Sequence, residues 1–338
     1  MSPLTIWKQL FGPGERWAVA GALTFSWANL LWRYSATGLD PLVATAIRSL
    51  PIFILAFALT LINGTWRQLR PDSPGFVGWR PIGYAALGGL VNFVIGNPLQ
   101  TRAFQLGGLV IAVPVVQTQV LWGAVLGAIF LREKLNRRMV LGIMVFMAGV
   151  AFLSAGQAGH LAVSPSWALA VPMSAMVGFF WAVGNVVTRV ALTRGLSQSN
   201  NLAISNAVGV VGLTLILAAL GRPGAYAAVP AYRWLWLVAS GIAGGAGIGF
   251  FFTALSKTTV ASATTIHSSN TGLSAIFAWL WLGEPLNLMM LTGIAAILGG
   301  VLMVQAGRPK GSPAAEAPMT EDVQPRAAAA CPARPRSR

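Results

Sequence analysis

Ten continuous apolar runs, each about twenty residues long, constrain this chain more than any other feature. They fall near 17–36, 41–62, 81–101, 108–131, 138–156, 166–188, 200–220, 233–255, 259–282 and 288–306. A helix rises about 1.5 Å per residue, so about twenty residues cross a hydrocarbon core about 30 Å thick. No water reaches that core, so the backbone must satisfy itself as helices or as a closed barrel. A barrel strand would alternate apolar and polar residues over about ten positions, and these runs do not alternate. Only 9% of the 338 residues are charged, against about 25% in a soluble domain. The fold class that follows is an all-α integral membrane protein with ten transmembrane helices. The lipid bilayer is its first partner.

The flanks differ. Residues 1–16 read as an interfacial segment, with Leu4, Trp7 and Phe11 at helical spacing beside Lys8. A cleaved signal peptide is the alternative for the first span, and it is disfavoured because that span has a partner later in the chain. Residues 307–338 are rich in Pro and Ala, hold no apolar run and read as a disordered tail.

The net charge of +15 does not indicate nucleic acid. The Lys and Arg sit between apolar runs, where they set topology. With the N-terminus in the cytoplasm, inside segments hold eighteen of them and outside segments four. Both termini are therefore expected on the cytoplasmic side of the inner membrane. Cys331 is the one cysteine, which excludes an internal disulfide and a cysteine metal site. No cofactor motif is present, and the oligomeric state is not legible.

Residues 131–156 match residues 282–307 without a gap, at an offset of 151. The match includes Glu133/Glu284, Asn136/Asn287, Gly142/Gly293 and Gly149/Gly300. Upstream, Asn29 and Arg33 recur as Asn185 and Arg189. This is an internal duplication, with copies at 17–156 and 166–306 joined by a linker at 157–165. Five spans per copy is odd, so the second copy must be inverted. The charges agree: segment 131–138 carries four Lys or Arg and segment 282–289 none. Two inverted five-helix repeats are a recurring build for secondary transporters, with substrate bound near the midplane.

These residues resemble a known family. Leu131-Arg132-Glu133-Lys134-Leu135, Leu282-Gly283-Glu284-Pro285-Leu286 and the paired glycines that follow are similar to the EamA family of the drug/metabolite transporter superfamily. Arg132 departs from the usual Gly before Glu133. The resemblance covers about residues 15–306. It implies a transporter, with exporters of amino acids and other small metabolites among its members.

Polar groups at membrane depth are the candidates for chemistry, because hydrocarbon makes them costly. Gln117-Thr118-Gln119 lies at the centre of the fourth span, and Ser268-Ser269-Asn270 at the same place in the ninth, after His267. Successive residues lie about 100° apart on a helix, so not all of a triplet can face one cavity. The ninth span also carries a stripe of Thr264, His267, Thr271 and Ser274. The candidate substrate-binding residues are Asn29, Gln117, Gln119, Asn185, His267 and Asn270. Hydrogen bonding between helices is the plain alternative for each.

Other features read as structural. Gly241, Gly245 and Gly249 mark one face of the eighth span for helix packing. Glu133 and Glu284 are family-motif residues at span ends. Arg33 and Arg189 are read as snorkelling to the interface. Arg48 is read as bonding carbonyls loosened around Pro51, with a substrate carboxylate as the alternative. Trp17, Trp32, Trp66, Trp79, Trp234 and Trp281 suit interfacial belts.

The expectation is a secondary transporter, exporting a small metabolite such as an amino acid by alternating access. An importer or exchanger of a sugar or drug-like solute is the runner-up. An intramembrane enzyme would need clustered carboxylates or a nucleophile with a base, and no Asp lies inside a span. A channel filter would need rings of charge or of carbonyls, and nothing in the sequence calls for one.

Overall fold

In a computed structural model, the structure describes residues 12–36, 38–132, 135–158, 167–282 and 287–307. Twelve helices account for most of them. They are α1 Pro13–Ala36, α2 Pro41–Ile62, α3 Trp79–Gly89, α4 Asn97–Val116, α5 Gln119–Leu131 and α6 Arg137–Ala158. The second half continues with α7 Trp167–Thr193, α8 Gln198–Ala219, α9 Ala231–Lys257, α10 Val260–Ser268, α11 Asn270–Leu282 and α12 Leu288–Ala306. A π-helical segment, Leu90–Gly96, joins α3 to α4. Among the described residues there is no strand.

Local chemistry sets where helices start. Asp40 accepts the Leu42 amide at 2.8 Å, and Pro41 supplies a preset first turn for α2. Ser197 accepts the Asn200 amide at 3.2 Å ahead of α8. Thr259 accepts the Ser262 amide at 3.2 Å ahead of α10. Among the described residues, five segments are long and apolar enough to cross a membrane: Pro41–Ile62, Trp79–Ala103, Leu169–Thr193, Gln198–Ala219 and Ala231–Lys257. Gln119–Leu131 and Leu288–Val304 are shorter apolar helices. Large apolar side chains such as Ile62, Leu235 and Leu288 stand outward, as lipid-facing surfaces do.

The heaviest packing joins one half of the chain to the other: α6 with α12, α1 with α9, α2 with α8, and α3–α4 with α7. The α6–α12 pair shows why. A Cβ on Gly142 would lie 2.9 Å from the Gly300 carbonyl oxygen, and one on Gly149 would lie 2.8 Å from that of Gly293. Gly142 corresponds to Gly293 and Gly149 to Gly300, so each glycine meets the counterpart of the other. Asn136 accepts the Met139 amide at 3.0 Å and donates to the Gly307 carbonyl. Asn287 accepts the Met290 amide at 2.9 Å and donates to the Gly156 carbonyl at 2.7 Å. Each asparagine starts its own helix and ties down the end of the other.

Three departures from the sequence reading stand out. Residues 102–107, read as a loop between spans, are helical within α4; the segment holds no proline to stop a helix. The fourth and ninth spans, read as continuous, are each broken at the centre. Trp32, read as interfacial, is buried. Glu133 and Glu284 lie outside the described residues, as does the side chain of Arg33.

Candidate functional site

The two central breaks are alike. Helix α4 ends at Val116 and α5 begins at Gln119; α10 ends at Ser268 and α11 begins at Asn270. At the first break the Thr118 hydroxyl donates to the Val115 carbonyl at 2.6 Å. At the second the Ser269 hydroxyl donates to the Ile266 carbonyl at 2.6 Å. These are corresponding positions, and such short-range bonds compete with the helical ladder. Helix α7 passes close by, where a Cβ on Gly178 would lie 2.6 Å from the Thr118 hydroxyl.

Side chains from the two breaks bond to one another. The Gln119 amide donates to Gln117 Oε1 at 3.2 Å and to Ser268 Oγ at 3.3 Å. The Gln117 amide donates to Thr271 Oγ1 at 2.5 Å. The Asn270 amide donates to the His267 carbonyl at 2.6 Å. From α1, the Asn29 amide donates to Asn270 Oδ1 at 3.3 Å, and the Ser26 hydroxyl to the Asn270 carbonyl at 3.0 Å. The interruption relaxes the 100° rule, so Gln117 and Gln119 engage one network.

His267 sits between rings. Its imidazole stacks on Phe251 at 4.4 Å and tilts against Phe25 at 5.0 Å, and Nδ1 has no hydrogen-bond partner among the described residues. Asn185 is buried on α7 and forms none of the bonds of the network. Gly241 lies against the Arg48 carbonyl and the Pro51 ring, Gly245 against Ile52, and Gly249 near Gln198 and Leu202, so this glycine face meets α2 and α8.

Two arginines are buried. Arg189 Nη1 donates to the Leu255 carbonyl at 2.6 Å, in the last turn of α9. That end carries negative partial charge, which explains the choice. Arg48 bonds no carbonyl around Pro51. It is 95% buried, its Nε and Nη2 have no partner among the described residues, and its guanidinium lies 4.6 Å from the Trp32 ring centroid and 5.6 Å from that of Phe25.

Sequence reading missed Glu15, which is buried in the first turn of α1 and accepts a bond from the Thr258 hydroxyl at 2.5 Å. It falls within residues 1–16, read from the sequence as an interfacial segment, whereas α1 already begins at Pro13. A separate cleft of about 530 Å³ opens at the start of α2, with Asp40 and Arg102 beside Pro98, Met176 and Phe180. No residue of the central network lines it. No cluster of His, Cys, Asp or Glu suited to a metal occurs among the described residues.

An apolar all-helical protein, with paired halves and two interrupted helices whose polar side chains meet at its centre, has the build of a membrane transporter. The chain belongs to the EamA-like transporter family, within the drug/metabolite transporter superfamily: that family's profile matches residues 12–155 and again residues 168–305. It is 33% identical over 132 residues to an uncharacterized transporter of Sinorhizobium, covering 37% of this chain and 94% of that one. It is 28% identical over 301 residues to an uncharacterized protein of Pseudomonas aeruginosa, covering 86% and 93% of the two chains. A solved crystal structure aligns with TM-score 0.68 at 20% identity, over 86% of this chain and 95% of that one. At that identity the likeness concerns the fold alone.

Proposed function

We propose that this protein is a secondary transporter that exports a small polar metabolite, such as an amino acid, across the inner membrane by alternating access. In this reading ten spans form two inverted five-helix repeats, 17–156 and 166–306, with both termini cytoplasmic. The observation that carries it is the bonded pair of breaks, Gln117–Thr118 and Ser269, joined through Gln119 and Ser268. Interrupted helices at the repeat interface are where such proteins bind substrate. Gln117, Gln119, Asn270, Asn29 and His267 are the substrate-binding residues of this proposal. Asn185 is assigned to the path on α7, and the cleft beside Asp40 and Arg102 to the outer vestibule.

Alternating access needs two units that rock about a fixed centre. In this reading the rocking units are bundles of helices drawn from both halves of the chain, and the amide network supplies a centre whose bonds can be exchanged for bonds to substrate. Amides and hydroxyls both donate and accept, which suits a polar solute. The family assignment argues for transport and against catalysis.

The test is a mass-spectrometric profile of spent medium from cells overproducing the protein. The control is a Gln117→Ala/Asn270→Ala variant matched for membrane abundance. A compound enriched outside only with the intact protein supports export through this site. Depletion of a compound instead reverses the direction. Enrichment that survives the double substitution keeps the transporter and refutes the site.

A further inference from the structure

We propose that Arg48 is the anion anchor of the transport path, the group that receives the carboxylate of the substrate. The proposal rests on the transport reading above and deepens it by naming the substrate class.

Arg48 lies two turns into α2 and points into the bundle. A buried charge is costly unless it is paired and hydrogen-bonded. Arg189, also buried, meets that need with a carbonyl at 2.6 Å. Among the described residues Arg48 has no such bond, and two of its donor nitrogens are unpartnered. The acidic residues with described positions are Glu15, Asp40 and Asp72. Glu15 bonds Thr258 and Asp40 pairs with Arg222 at 2.7 Å. None of the three contacts Arg48. The two aromatic rings hold the cation, but rings contribute only about 0.5–2 kcal/mol and accept no hydrogen bond in the guanidinium plane. The guanidinium therefore lies beside two rings with Nε and Nη2 unused among the described residues.

The backbone of α9 comes close to the guanidinium on one side, where a Cβ on Gly244 would lie 2.8 Å from Arg48 Nη2. Phe25, Asn29 and Trp32 recur at helical spacing on one face of α1. The two rings that carry the guanidinium therefore flank Asn29, whose amide reaches Asn270 at the second break. The Phe25 ring also contacts His267. A carboxylate held two-pronged by Arg48 would place the rest of its molecule against the Asn29–Asn270 amides. One guanidinium balances one carboxylate charge. Arg48 alone would leave a doubly charged phosphate under-compensated.

The experiment loads proteoliposomes of the full chain with the small-molecule extract of the host cells and identifies by mass spectrometry what leaves. Protein-free vesicles are the blank. The wild-type protein is expected to release carboxylate-bearing compounds selectively over amines and neutral solutes. R48Q, at equal reconstituted amount, is expected to slow that release by about tenfold or more, the loss of one charge-assisted pair. Should R48Q fail to reconstitute, R48K keeps the charge without the fork and is expected to slow release about threefold or more. Release dominated by solutes lacking an acid overturns the anchor, as does carboxylate release at the wild-type rate in the variant that reconstitutes. Vesicles that release nothing beyond the blank overturn the transport reading itself, and the anchor with it.

Discussion

Gly142 and Gly300 meet so closely that a Cβ on Gly142 would lie 2.9 Å from the Gly300 carbonyl oxygen, and one on Gly300 would lie 2.7 Å from that of Gly142. The contact is mutual, and backbone stands on both sides of it. A flexible side chain cannot swing away to make space. Gly142→Val and Gly300→Val should each push α6 and α12 apart, costing about 1–3 kcal/mol by overpacking. Thermal unfolding of the purified variants in detergent checks this. Gly299 has nothing within 4 Å of the place its Cβ would take, so Gly299→Ala should leave the unfolding midpoint near that of the wild type.

The asparagine exchange predicts a matched pair of losses. Asn136→Ala and Asn287→Ala each remove an N-cap and one bond to the end of the facing helix. A cap contributes about 1 kcal/mol, and a polar bond between membrane helices about 0.6 kcal/mol. The two variants should therefore lose similar stability, about 1–2 kcal/mol each. Unequal losses would show that the two ends of this helix pair differ energetically. The double variant, measured the same way, reports whether the ends act independently.

These two predictions use residues that stood out in the sequence as repeated, and the reason is physical. Gly142, Gly149, Gly293 and Gly300 lie where two copies of one segment face each other, so both copies need small residues at the same offsets. The central triplets were visible for a related reason, since polar residues in apolar runs are conspicuous. The breaks were not visible. Thr118 and Ser269 interrupt their helices through hydroxyls that bond carbonyls three residues back, and serine and threonine do so in some membrane helices and not in others. The inward turn of Trp32 was equally hidden, because it depends on Arg48 from another helix. Periodicity reports one helix at a time, and Arg189 likewise found its carbonyl on α9.

Arg189 yields a prediction about its bond to the end of α9. A buried guanidinium bonded to the end of α9 contributes through a charge-assisted bond, about 1.5–3 kcal/mol. Arg189→Met keeps the length and removes the charge, leaving the Leu255 carbonyl without this donor. It should lower the unfolding free energy by about 1.5–3 kcal/mol. Arg102, exposed beside the cleft and bonded to Gln105 at 3.3 Å, is the contrast. Arg102→Met should change stability by no more than about 0.5 kcal/mol.

Cys331, the sole cysteine, tests the expected orientation without any substitution. If both termini are cytoplasmic, a membrane-impermeant maleimide should leave Cys331 unlabelled in intact cells and label it once the membrane is permeabilised. Labelling in intact cells would place the C-terminus outside. The charge bias between spans would then need another explanation than topology.

The central network carries the prediction that most directly joins structure to transport. Gln119 donates to both Gln117 and Ser268, so Gln119→Leu removes its bond across to the second break while preserving bulk and leaving the Gln117–Thr271 bond in place. If those bonds only packed helices, the variant should behave like any lost interhelical bond, with a cost of about 0.6 kcal/mol and unchanged transport per molecule. If they are exchanged with substrate, transport should fall by about tenfold or more while the unfolding midpoint moves little. Ser205→Ala is the matched control, because it removes a buried bond between helices, from the Ser205 hydroxyl to the Ala85 carbonyl at 3.0 Å, away from the breaks. The ratio of transport loss to stability loss in the two variants decides the matter. A high ratio for Gln119→Leu and a low one for Ser205→Ala would place substrate binding at the breaks, and equal ratios would reduce the network to packing.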